Sequence, residues 1–204
     1  MMRRIIVLLA TVAVVLGGGA TGVLAQPSLN EQDKTFLAQA HRSNLAEIES
    51  GRLAEKKSSD QTVKTIAKKL VTDHLKLDAA VKKAAQQAGV TLPEQPAPKQ
   101  RATLDRLSKL SGTAFDKAWI GAQIAGHRQT IAVINTELQD GSSAAIKKVA
   151  SEAKPVVQGH LQMLQQARGN GGGGGSDGGG GGGNGGGGGG SPMPHGTPTV
   201  SPTR

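Results

Sequence analysis

The sequence contains no cysteine and no tyrosine, and its only aromatic residues are Phe36, Phe115 and Trp119. Without cysteine there is no disulfide, no thiolate zinc site and no cysteine nucleophile. The same absence excludes a lipoprotein, whose lipid is carried on a cysteine at the cleavage point. With so few rings, the core must be built from Leu, Ile, Val and Ala. Ala and Leu are the best helix formers. Period-two runs of β-branched and aromatic residues are also missing, so strands are not expected. There is no Gly-x-Ser-x-Gly elbow, no phosphate loop and no Rossmann glycine pattern, which leaves an enzyme as the least favoured reading.

Acidic residues are in short supply too. Asp and Glu number 15 against 24 Lys and Arg, giving a formal charge of +9, of which Arg3 and Arg4 account for two. Such a balance ordinarily raises the question of nucleic acid. No aromatic platform for stacking bases is present, and the chain carries an export signal, so no nucleic acid is expected. Anionic envelope polymers or a membrane surface suit the charge better.

One long apolar run exists, Ile5–Leu16. It follows Arg3-Arg4 and precedes Val23-Leu24-Ala25, a small-x-small cleavage pattern. Gly17-Gly18-Gly19 cuts the run short of the ~20 residues that span a bilayer. Residues 1–25 therefore read as a signal peptide for secretion across the inner membrane. The expected location is the periplasm or outer envelope.

The mature chain reads as all-α. A first helix is expected from about Asn30 to Lys57, with Asn30 or Ser28 as cap and Glu31 and Asp33 in its first turn. A second runs from Gln61 to Ala88 and stops at Gly89. Pro93, Pro96 and Pro98 break the chain, and a short helix spans Gln100 to Leu110. A third long helix begins after Ser111-Gly112-Thr113 and ends near Asp140. A fourth covers Ser143 to Arg168, with Pro155 expected to kink it. This is two helical hairpins joined by a long crossover containing a short helix, the ferritin-like form of a four-helix bundle. Residues 29–168 form the bundle domain. Residues 169–204, nearly all Gly and then rich in Pro, Ser and Thr, are expected to be a disordered tail.

Four histidines fall one to a helix. On a helical wheel each faces the apolar side: His41 with Leu37, Leu45 and Ile48; His74 with Leu70, Leu77 and Val81; His127 with Ile124, Ile131 and Ile134; His160 with Val156, Val157 and Leu164. Counted from the turns near Ser58 and Gly141, at ~1.5 Å per residue, all four sit roughly 21–28 Å along their helices. Buried imidazoles need partners. A transition metal (zinc, copper or iron) is one answer, with Glu47 and Asp73 close enough in sequence to join. The candidate metal-binding set is thus His41, Glu47, Asp73, His74, His127 and His160. The Glu-x-x-His pairs of di-iron bundles are absent, so carboxylate-type ferroxidase chemistry is not expected.

Several stretches, in order, resemble the bacterial exported family called domain of unknown function 4142. They are Phe36-Leu37, Leu45 to Ala54, Val63-Lys64, Ala67, Leu70-Val71 with Asp73-His74, Gly89 to Pro93, Leu107 to Asp116, and Pro155 with His160-Leu161. The similarity spans Leu29 to Ala167. It implies a ferritin-like bundle in the periplasm or envelope, of a kind often labelled outer membrane protein, with no established activity. Glu47, Asp73, His74, His127 and His160 match the family's recurrent polar core positions. Members often carry an acid before the last two histidines, where this chain has Gly126 and Gly159. Together these features point to an exported, non-catalytic binding or stress-related module. The alternative is a metal-binding bundle with a histidine-rich core site.

Overall fold

The computed structural model describes residues 29–170, all of whose regular structure is helical. The expected signal peptide, residues 1–25, and all but the first two residues of the expected tail, 169–204, lie outside the described residues. Helix α1 spans Glu31–Lys57, α2 Gln61–Ala88, α3 Pro98–Ser108, α4 Gly112–Asp140 and α5 Ala144–Asn170. None of these helices is long and apolar enough to cross a membrane.

Local chemistry sets the ends. Asn30 caps α1 in a reciprocal box with Asp33, each side chain bonding the other's backbone N–H at 2.9 and 2.8 Å. Asp60 accepts the N–H groups of Thr62 and Val63 at the start of α2. Gly89 ends that helix in the left-handed region, φ 66°, where other residues are strained. The short helix starts at Pro98, two residues earlier than the prolines suggested. Proline at a first helical position loses no hydrogen bond, and Gln100 reaches back to the Ala97 N–H at 2.8 Å. Helix α5 runs unbroken through Pro155.

Helices α1 and α2 form one antiparallel hairpin and α4 and α5 the other, with α1 against α4 and α2 against α5. The crossover carries α3 across α1 and α4. Its path brings α4 parallel to α2, the ferritin-like arrangement. Gly51 lets α1 and α2 approach closely: a Cβ there would lie 2.6 Å from Val71 Cγ2.

The core has two apolar halves. One, near the α1–α2 turn, holds Leu70, Leu107, Phe115, Trp119, Ile124 and Leu164. The other, near the α4–α5 turn, holds Phe36, Leu37, Val81, Ile134, Ile146 and Val157. Between them lies a buried polar layer of Asn44, Glu47, His74, Gln123, His127 and His160. At the far end of the second half, the Asp33 carboxylate accepts the backbone N–H groups of Ser142 and Ser143, both at 3.1 Å, and ties the start of α1 to the α4–α5 turn.

Candidate metal centre

An antiparallel hairpin sets residues equidistant from its turn side by side. Asn44 and His74 are each fifteen residues from Ser59. His127 and His160 lie sixteen and seventeen from Ser143. Docking the hairpins brings these levels together in the polar layer. His74 from α2, His127 from α4 and His160 from α5 meet with ring centroids 5.3–5.6 Å apart. One nitrogen from each ring lies within 4.8 Å of one from each of the others. All three residues are buried.

The outer nitrogen of each ring is committed. His127 Nδ1 lies 2.9 Å from the Gln123 carbonyl, which can only accept, so Nδ1 carries the proton. His160 Nε2 lies 3.0 Å from the Asp73 carboxylate and donates to it. His74 Nδ1 lies 2.9 Å from Asn44 Oδ1 and donates likewise. In the neutral rings, His74 Nε2, His127 Nε2 and His160 Nδ1 are then bare lone pairs. His127 Nε2 and His160 Nδ1 face each other at 3.4 Å with no proton of their own to share. His74 Nε2 is buried with no hydrogen-bond partner.

Electrostatics keep the rings neutral. Burial, then the neighbouring rings, hold His74 well below its ordinary value. Burial lowers His127 to about 4 against the pull of its carbonyl partner. Burial also lowers His160, although Asp73 opposes it. Burial works on Asp73 too, but Lys69, 2.8 Å away, and His160 outweigh it and keep the carboxylate ionised. Three lone pairs converging from rings oriented by outer acceptors is the arrangement by which proteins hold a metal.

The six sequence-designated residues separate into distinct places. His74, His127 and His160 converge. Asp73 stands behind His160 as its orienting acceptor. Glu47 lies behind His127, its Oε1 3.7 Å from Nδ1, and burial raises its carboxyl to about 8. Its Oε2 has no partner. Gly126 makes room for it, since a Cβ there would sit 3.1 Å from Glu47 Oε1. His41 stands apart: one turn from Asn44, it forms a buried pair with Asp78, Nδ1 to Oδ1 2.5 Å.

Asn44 and Gln123 join the polar layer without having been singled out by sequence. Asn44 was visible as a polar residue three positions after His41 and four before Ile48 on the inner stripe. Gln123 similarly precedes His127 by four, and its side chain donates to Ser50 Oγ at 2.7 Å.

Two solved structures share the fold. A DUF305 fragment from Deinococcus radiodurans superposes with a TM-score of 0.64 at 14% identity, covering 71% of this chain and 99% of that one. A DUF305 protein from Streptomyces coelicolor, described as secreted, gives 0.61 at 11% identity, covering 69% and 92%. No curated protein matches the chain. The family model described as a domain of unknown function, DUF4142, matches residues 18–167, and the chain belongs to that family.

Proposed function

We propose that this protein is an exported, non-catalytic helical bundle that binds one transition-metal ion at His74, His127 and His160. The observation that carries the reading is the set of three inward lone pairs, each fixed by an outward hydrogen bond. Two such nitrogens 3.4 Å apart repel unless a cation lies between them. Zinc, copper and iron all suit neutral imidazole, and a three-imidazole set leaves a fourth position for water or another ligand. Asp73 orients His160, and Glu47 stands by as a nearby carboxyl. Export rests on the Arg3-Arg4, Ile5–Leu16 and Val23-Leu24-Ala25 pattern, and the secreted relative from Streptomyces coelicolor agrees with it.

The deciding experiment is metal analysis of protein purified from its native envelope, followed by titration of stripped protein with Zn²⁺, Cu²⁺ and Co²⁺ in a calorimeter. One ion per chain, lost in His74→Ala, is expected. A stoichiometry near zero in both measurements sinks the reading.

A second role is supported by the charge pattern of α2. Its exposed charged side chains are all lysines, Lys68, Lys69, Lys76, Lys82 and Lys83. The face fits anionic envelope polymer, held by salt-sensitive contacts. Co-sedimentation that fails to weaken between low and high salt would remove it.

A further inference from the structure

A buried site must be reached by its ion, and four observations converge on one seam. The first is a groove of about 540 Å³ between α2 and α5, lined by Asp73, Pro155, Gly159, His160 and Met163 among others. His160 is the one imidazole of the three that lines it. The second is the packing: among the four neighbouring pairs of long helices, α2 and α5 make the sparsest contact. The third is Pro155 in the groove wall, which removes a backbone hydrogen bond from α5 where that helix would have to give. The fourth is Gly159. A Cβ built there meets nothing within 4 Å, so the groove is open immediately before His160 in sequence.

An alternative way in is a second cavity, of about 140 Å³, which reaches Asn44 behind His74. Its lining is largely apolar, with Phe36, Leu77, Val81, Ile134 and Val157, and its one carboxylate, Glu152, is exposed, paired with Lys148 and not bonded to any of the three rings. The α2–α5 groove offers Asp73, an ionised carboxylate whose side chain is 19% exposed, in direct contact with His160. Lys69 Nζ lies 2.8 Å from the same Oδ2 that meets His160, and Lys76 is the groove's other charged side chain.

We propose that the α2–α5 groove is the uptake and release port of the three-histidine centre. Asp73 is the first ligand the incoming cation meets, and His160 is the ring past which it is handed inward. The inference rests on the metal-binding reading and adds the route. A port governs rates without altering the end state, so blocking it slows association and dissociation together.

The test uses stopped-flow absorbance of Co²⁺ uptake by the full stripped chain, and its removal by excess chelator. Gly159→Leu places a side chain in the groove, at a position where a Cβ meets neither His74 nor His127 within 4 Å. Both rate constants are expected to fall about tenfold or more, with Kd unchanged. Gly159→Gln does the same with a polar plug and covers the case in which the leucine variant folds poorly. Ala153→Leu, which fills the alternative cavity, is expected to leave both rates alone. Wild-type rates in both Gly159 variants, or slowing in Ala153→Leu instead, overturn the port. Absence of any Co²⁺ uptake by the wild-type chain brings down the metal reading itself, and the port with it.

Discussion

Replacing His74 by leucine separates a metal ligand from a merely structural core histidine. In the metal-free protein His74 Nε2 is buried without a partner, and an unsatisfied buried group costs about 1–3 kcal/mol. His74→Leu removes that cost. It also strips Asn44 Oδ1 of its donor, which costs a similar ~1–3 kcal/mol. The two effects offset, so the metal-free variant should stay within about 1 kcal/mol of wild type. With metal present the two proteins diverge. At a free ion concentration of 100 Kd, binding stabilises the native state by about 2.7 kcal/mol. For a bundle of about 140 residues the unfolding entropy near 60 °C converts this to a rise of about 9 °C in Tm. The assay is calorimetric melting of stripped wild type and variant, each with and without Zn²⁺ or Co²⁺. Wild type should gain about 9 °C and the variant none. An equal gain in both refutes the assignment of His74 as a ligand. A metal-free variant destabilised by more than about 3 kcal/mol, beside a wild type indifferent to metal, shows a structural histidine.

Stability should also depend on pH in a way the buried layer dictates. The three rings titrate below their unfolded value near 6.5, so the unfolded chain takes up protons the native state does not. Stability is therefore lost as pH falls from about 6.5, by up to about 1.4 kcal/mol per pH unit for each ring. Burial raises Glu47 to about 8 and Glu137 to about 7, so their contribution is full below about 4.5 and is lost as pH rises through those values. Urea titrations of the metal-free protein should give a maximum near pH 6.5, and Glu47→Gln should flatten the decline toward pH 8. A stability still rising between pH 7 and 8 contradicts this. Asp73→Ala should weaken Zn²⁺ binding by about 10- to 100-fold, read by calorimetry, since it frees the His160 ring to turn. An unchanged Kd would deny Asp73 that role. Asp33→Ala removes acceptors for Asn30, Ser142 and Ser143 and should cost about 2–4 kcal/mol in denaturant unfolding with no effect on metal affinity.

The sequence alone determined the helices, because the 3.6-residue spacing of apolar residues and the capping chemistry at Asn30, Asp60 and Gly89 are local. It also determined that His74, His127 and His160 face inward, since direction around a helix follows from position along it. The family was legible from motifs in order. Which histidines meet was a tertiary matter. The turn centres lie one or two residues beyond Ser58 and Gly141, and that shift is enough to set Asn44, not His41, beside His74. His41 falls a turn away, opposite Asp78. The hydrogen bonds that fix each tautomer cross between elements or run to backbone carbonyls, and no spacing rule reveals them. The groove at Gly159 exists because two hairpins dock more loosely along one seam than along the others. A helical wheel gives direction within a helix. Axial register between helices, and the gaps that docking leaves, are set by packing of the whole bundle.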